Sequence, residues 1–279
     1  MTVFGVIGGY GATGSVVVSE LRKSGDGEVL IGGRDAAKGV RVDVLDARSL
    51  DDFCRRCLIV ITCAGPVKAL RDRVAQAAFR SRCHYVDLAG LALVREAMLP
   101  YSPEMAGLGL SCVVSAGWIP GITELLPVYT HTQASAQMDS IDSMHIYFSD
   151  SGEWSDNALR DDVWHLHRTG MPKPGHFHKG RWVAAKMSEA SGKFDLVEPI
   201  GRGRFSLYSM PELDEVAPAE GLRRFHVHVF GRNSQCSGRH GDRLAASVRA
   251  DGRWFATRRF RPKSPSGSRL RSSSGAGAF

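Results

Sequence analysis

Residues 3–15 read VFGVIGGYGATGS, an apolar run that passes directly into a loop with glycine at positions 8, 9, 11 and 14. The run predicts a strand and residues 12–24 predict a helix, so Gly9-x-Gly11-x-x-Gly14 falls at a strand-to-helix turn. In that context the spacing cradles a dinucleotide. Gly9 makes the tight turn, Gly11 leaves the backbone open to a pyrophosphate, and Gly14 lets the helix lie close on the strand. The N–H groups around Ala12, Thr13 and Gly14 have no acceptor in a first helical turn. They face the anion, and the helix dipole adds about 0.3–1 kcal/mol.

Outward from this unit, strand-like runs alternate with helical ones. EVLIGG, VRVDVLD, LIVITCAG, HYVDLAG and SCVVSAG predict five further strands, separated by helices near 49–56, 68–81 and 91–108, and a helix over 121–133 leads onward. Several of these runs are apolar on both faces, as a parallel sheet covered by helices requires. The fold class is therefore α/β, a Rossmann doubly wound parallel sheet over residues 1–133, followed by a smaller α+β domain over 134–262. That second part predicts strands at MDSIDSMHIYFSD, RWVAAKMSE, GRFSLYSM and RRFHVHVF and a helix over 155–168, with Asp251-Gly252 as a hairpin turn. Residues 263–279 are Ser-, Gly- and Arg-rich and read as a disordered basic tail.

The chain has a formal net charge of +7, but the excess is local. Residues 1–130 hold 14 basic and 13 acidic groups, 131–230 hold 11 and 14, and 231–279 hold 11 and 2. A near-neutral body with a basic end argues for a solvated tail and against a nucleic-acid reader. No apolar run reaches the roughly 18 residues of a membrane span, and no signal peptide opens the chain, so the expectation is a cytoplasmic protein with neither membrane nor nucleic acid as partner. Six cysteines without framework spacing fit a reducing compartment. Cys54-x-x-Cys57 has redox spacing but ends a helix. Three His-x-His pairs, His165/His167, His176/His178 and His226/His228, lack a third ligand nearby, so no metal is expected.

The end of the second predicted strand selects the dinucleotide. A carboxylate there would hold a ribose 2′-OH; this chain instead offers Gly32, Gly33 and then Arg34, whose guanidinium suits a 2′-phosphate. NADP is the expected cofactor, with Asp35 leaving NAD open. Asp46, closing the third strand, is placed toward the adenine edge, and Cys63, Ala64, Gly65 and Pro66, closing the fourth, pass beside the ribose and pyrophosphate. Tyr85 and Asp87 share a face at the end of the fifth strand, where one of them could donate or relay a proton; packing and turn-capping are the alternative.

None of the six tyrosines is followed four residues on by lysine, which disfavours a short-chain dehydrogenase. The chain resembles the saccharopine dehydrogenase-like family of saccharopine reductase type. The motifs carrying the likeness are Gly9-Tyr10-Gly11-Ala12-Thr13-Gly14, Gly33-Arg34-Asp35, Cys63-Ala64-Gly65-Pro66, Tyr85-Val86-Asp87-Leu88-Ala89-Gly90 and Ala116-Gly117-Trp118-Ile119-Pro120-Gly121-Ile122. Leu91 departs from the Gly-Glu that commonly ends the fourth of these motifs, and the basic end, where relatives return to the first domain, reads as a truncation or a shifted reading frame.

The resemblance implies hydride transfer to an imine carbon of a small amino-acid-derived metabolite, in a homodimer. The loop bearing Trp118, Pro120 and Gly121 is then the floor of the site, and Trp154, Arg160, Arg204 and Tyr208 are candidates for holding the substrate. Two alternatives stay open: an enoyl (C=C) reductase on the same scaffold, and a non-catalytic NADP-binding regulatory protein, which the Leu91 departure favours.

Overall fold

The computed structural model describes residues 2–118, 120–138, 141–149, 155–169, 174–186, 188–195, 201–207 and 224–231. The Asp251-Gly252 turn, the basic tail, Ile119, Trp154 and Tyr208 lie outside them. The first half forms six strands, β1 Val3–Ile7, β2 Glu28–Gly33, β3 Val40–Arg41, β4 Ile59–Thr62, β5 His84–Asp87 and β6 Cys112–Val113. They are parallel and ordered β3-β2-β1-β4-β5-β6, the doubly wound arrangement. Helix α1, Ala12–Ser24, follows β1, and α2, Ala47–Cys54, follows β3.

Burial explains why these strands are apolar on both faces. On β1, Val6 packs with Val18 and Ile61, while the next residue, Ile7, joins Leu50, Phe53, Val60 and Val74 on the opposite side. Each fully buried aliphatic or aromatic side chain contributes about 1.5–3 kcal/mol, so polar residues at alternate positions would remove half of the sheet's packing.

Several predicted elements come out shorter or broken, the sixth strand among them, which is reduced to Cys112–Val113. The third strand ends after Arg41, because the carboxylate of Asp43 accepts from the N–H of Leu45 at 2.9 Å and that of Asp46 from the N–H of Arg48 at 2.9 Å. These local bonds hold the chain in a turn and a helix cap in place of a ladder. The helix expected over 68–81 is two helices, α3 Val67–Leu70 and α4 Arg73–Arg80, separated at Arg71, whose φ of 50° and ψ of −131° are not helical. The helix expected over 91–108 is α5 Leu91–Met98, a 3-10 turn Leu99–Tyr101 and α6 Ser102–Gly107, with a proline near the start of each of the last two.

Helix α7, Ile122–Ser135, carries the chain to a second sheet of β7 Ser143–Ser149, β8 Gly175–His178, β9 Arg181–Ala184, β10 Ser191–Asp195, β11 Arg202–Leu207 and β12 Arg224–Gly231, together with helix α8 Asp156–Thr169. Its order is β10-β11-β12-β8-β9, with β7 parallel to β12. Met144, Ile146 and Phe148 of β7 are buried while His145 between them is exposed, the period-2 pattern of a half-covered strand. Strand β9 lies within the expected RWVAAKMSE strand, whereas β8 was not expected; Lys179 and Gly180, both at positive φ, join the two as a two-residue hairpin.

Candidate active site

The glycine loop is built by three backbone bonds. The N–H of Gly8 donates to the carbonyl of Gly32 at 2.8 Å, that of Gly11 to Gly8 at 2.9 Å, and that of Ser15 to Gly11 at 2.9 Å, the first helical bond of α1. The positive φ of the turn falls on Gly8, at 81°, and not on Gly9, which is instead packed against Val6, Ile31 and Val18. Gly14 is buried where α1 crosses the loop. Ala12 and Thr13 open the helix with N–H groups for which the first turn has no acceptor, and both line a cleft of about 260 Å³.

The ends of β4 and β5 form the back of that cleft. Cys63, Ala64 and Gly65 line it, and burial pushes the Cys63 thiol up to about 11, so it is a neutral wall and not a thiolate. Pro66 follows through a cis peptide bond and precedes α3. Tyr85 and Asp87 line the cleft too, although only 4 % and 3 % exposed. The Oδ1 atom of Asp87 accepts from the N–H of Gly90 at 2.6 Å and of Ser115 at 2.8 Å, and its carbonyl accepts from Ala116 at 2.7 Å. Asp87 therefore ties the loops after β5 and β6 together. Burial raises its pKa, and the backbone donors oppose that shift. Burial, with the Asp87 carboxylate beside it, holds the Tyr85 hydroxyl well above its ordinary range, so at neutral pH it remains a donor next to Thr62 and Asp87.

At the other end of the loop the Tyr10 ring lies over Gly33, where a Cβ would meet it, and its Oη accepts from the N–H of Asp35 at 3.1 Å. The Asp35 carboxylate is already engaged by the N–H of Ala37 at 3.0 Å and the Lys38 ammonium at 3.4 Å. Arg34 beside it is exposed and forms no ion pair among the described residues. Asp46 is exposed as well and serves as the N-cap of α2 through Arg48, a structural use of the carboxylate that was expected near adenine.

The wall facing this cleft comes from α8, whose residues Asn157 and Asp161 were not singled out in the sequence. The Asp161 Oδ2 atom accepts from the N–H of Val67 at 2.9 Å, and Asn157 Nδ2 donates to the carbonyl of Gly65 at 3.2 Å. No local pattern could have marked them, because their partners lie more than ninety positions away in the chain. Trp118, Pro120 and Gly121 lie outside the lining of the cleft. The Trp118 ring stacks edge-on against Phe148 at 5.7 Å, Pro120 is buried, and Gly121 stands before α7 at a φ of 134°. Arg160 on α8 and Arg204 on β11 are exposed and do not line the cleft either.

Two sequence features find structural uses. Burial pushes the thiols of Cys54 and Cys57 up to about 12 and about 11, and the Cys83 thiol donates to both of their carbonyls at 3.1 Å. The His176, His226 and His145 rings stack at 4.5 and 4.3 Å across β8, β12 and β7, side by side and not converging on a point. Among the described residues no group of three His, Cys, Asp or Glu is placed to hold a metal ion, and no helix is long and apolar enough to cross a membrane.

A parallel sheet of this order, with an open glycine turn at its centre, narrows the comparison to dinucleotide-binding families. Residues 4–113 match the saccharopine dehydrogenase NADP binding domain. This layer is thus similar to the NADP-binding domain of saccharopine dehydrogenase, and the cofactor class it points to is a nicotinamide dinucleotide. The human saccharopine dehydrogenase-like oxidoreductase is 24 % identical over 144 residues, which span 51 % of this chain and 33 % of that one. Saccharopine dehydrogenase (L-Glu forming) of Saccharomyces cerevisiae superposes with a TM-score of 0.62 at 17 % identity, over 82 % of this chain and 55 % of the yeast chain. That likeness extends the shared fold into the second sheet. The chain spans a third of the human relative's length and about half of the yeast enzyme's.

The residues present fit the cofactor class. Beyond the carbonyl of Gly8 at 3.2 Å, no atom lies within 4 Å of where a Gly11 Cβ would sit, which leaves the approach to the Ala12 and Thr13 N–H groups clear for a diphosphate.

Proposed function

We propose that the chain is an NADPH-dependent reductase that delivers hydride to the C=N carbon of a small amino-acid-derived metabolite, working as a cytoplasmic homodimer. The observation that carries the reading is the pairing of a clear diphosphate cradle with an Arg34 that has no ion-pair partner among the described residues, beside an Asp35 already engaged. The Ala12 and Thr13 N–H groups bind the diphosphate, and Arg34 takes the 2′-phosphate in bidentate fashion. NADPH, when bound, supplies the hydride. The half-buried Cys63 and Ala64 and the buried Val94 give the cleft an apolar lining that limits water, and Tyr85 holds a proton at Oη, oriented by Asp87. Exposed Leu125 and Tyr129 on α7 offer a surface to a second copy, and free thiols at Cys54 and Cys83 fit a reducing compartment.

The test is NADPH oxidation across a panel of amine and carbonyl pairs, run on the wild type and Arg34→Asp. The wild type is expected to turn over at least one pair. Losing a charge-assisted phosphate contact worth about 1.5–3 kcal/mol should weaken NADPH roughly 10- to 150-fold in the variant while NADH changes little. Equal loss for both cofactors refutes the 2′-phosphate assignment. The second reading, a regulatory NADP-binding protein, is favoured by the backbone bonds that occupy Asp87 Oδ1. Binding without turnover across the panel would support it.

A further inference from the structure

Arg71 follows the last residue of α3, which packs against α8 beside the cleft. Its backbone, at φ 50° and ψ −131°, lies outside the left-handed well, in a region that side-chain-bearing residues rarely adopt. The N–H of Arg71 donates to the carbonyl of Val67 at 2.7 Å, which fixes the turn, so the strain is held by the end of α3 and by the buried Leu70 before it. Glycine would occupy this position without strain. The side chain does not compensate locally: it is exposed and forms no ion pair among the described residues.

The charges around it decide what it could hold. Among the described residues that line the cleft, Arg71 alone carries a positive charge. Each of the two carboxylates there accepts backbone N–H bonds through one oxygen, Asp87 Oδ1 from Gly90 and Ser115 and Asp161 Oδ2 from Val67, while its second oxygen is buried without a hydrogen-bond partner. Neither carboxylate forms an ion pair with the guanidinium among the described residues.

We infer that Arg71 is an oxyanion-binding residue of the cleft, held in a strained backbone to present its guanidinium to an anionic group. Two sources share that chemistry, a carboxylate of the substrate and the diphosphate of the cofactor; the place at the end of α3, which packs against α8, favours the carboxylate. This assignment rests on the reductase reading, because it places a specificity-determining residue for substrate in the same site.

The test uses the full chain and the variants Arg71→Gly, which relieves the strain, and Arg71→Lys, which keeps the charge. Glutarate, a small dicarboxylate with no reactive carbonyl, and its uncharged diamide are titrated calorimetrically with and without NADPH, and NADPH itself is titrated into each variant. The expected result is that glutarate binds the wild type and Arg71→Lys, loses roughly tenfold or more in Arg71→Gly, and outbinds the diamide by a similar factor. NADPH affinity should stay unchanged, and Arg71→Gly should melt above the wild type. A tenfold loss confined to NADPH would identify the diphosphate as the anion. If neither anion distinguishes Arg71→Gly from the wild type, the proposal is overturned. A wild type that binds glutarate through Arg71 but takes up no NADPH would refute the reductase reading and leave the oxyanion site standing.

Discussion

Gly14→Ala is expected to lower the melting temperature by about 6–12 °C, whereas Gly11→Ala should leave it nearly unchanged and weaken dinucleotide binding about tenfold. A Cβ on Gly14 would lie 2.1 Å from the carbonyl oxygen of Gly8 and 2.8 Å from the Cα of Gly9. Both are backbone atoms of the loop that starts α1, so no rotamer change relieves the overlap and the helix must lift from β1. Overpacking of that kind costs about 3 kcal/mol, which at roughly 2–4 °C per kcal/mol for a chain of this size gives the stated range. A Cβ on Gly11 meets only the Gly8 carbonyl, at 3.2 Å, and otherwise enters open space beside the cleft. The folded protein tolerates it, and the cost appears when a diphosphate approaches. Thermal melts and NADPH titrations on the two variants measure the contrast. A reversed pattern, with Gly11→Ala unstable and Gly14→Ala folded but deficient in binding, would contradict the loop geometry.

Asp87→Ala should destabilise the chain by about 3–5 kcal/mol, a large share of the 5–15 kcal/mol typical of a folded domain. The substitution leaves the N–H groups of Gly90 and Ser115 without their acceptor, and Gly90 is itself buried. Each unsatisfied buried donor costs about 1–3 kcal/mol, and the void where the carboxylate packed against Gly90 adds to it. Asp87→Asn retains an acceptor oxygen and should recover most of the loss. Urea denaturation reads both variants as shifts in midpoint at constant slope. If Asp87→Ala melts like the wild type but loses turnover, Asp87 is purely chemical and its place as a tie between two loops is wrong.

The layout of the first sheet was legible because its physics is local. Val6 and Ile7, or Val60 and Ile61, are consecutive apolar residues that need cover on both faces, and only a helix-covered parallel sheet provides it. Helix α1 was legible for the same reason, starting at Ala12 and ending at Ser24 before Gly25 in the left-handed conformation. What escaped the sequence depends on distant partners. Arg71 lies inside a stretch with helical spacing, and the break there shows only in its backbone angles. Strand β10, SGKFD, is too polar to read as a strand and forms because β11 pairs with it from Arg202 to Ser206. At the site, the two-residue spacing of Tyr85 and Asp87 gave their shared face, but not that Asp87 would be engaged by Ser115, 28 positions on. Asp161 caps Val67 from a distance of 94 residues, and no spacing rule reaches that far.

The most direct test of the dinucleotide cleft is isothermal titration of the folded wild-type chain with NADPH and, separately, NADH. The expected result is a saturable one-site binding heat with NADPH favoured. Folded protein that gives no heat with either coenzyme would contradict the assignment of the glycine loop and everything built on it.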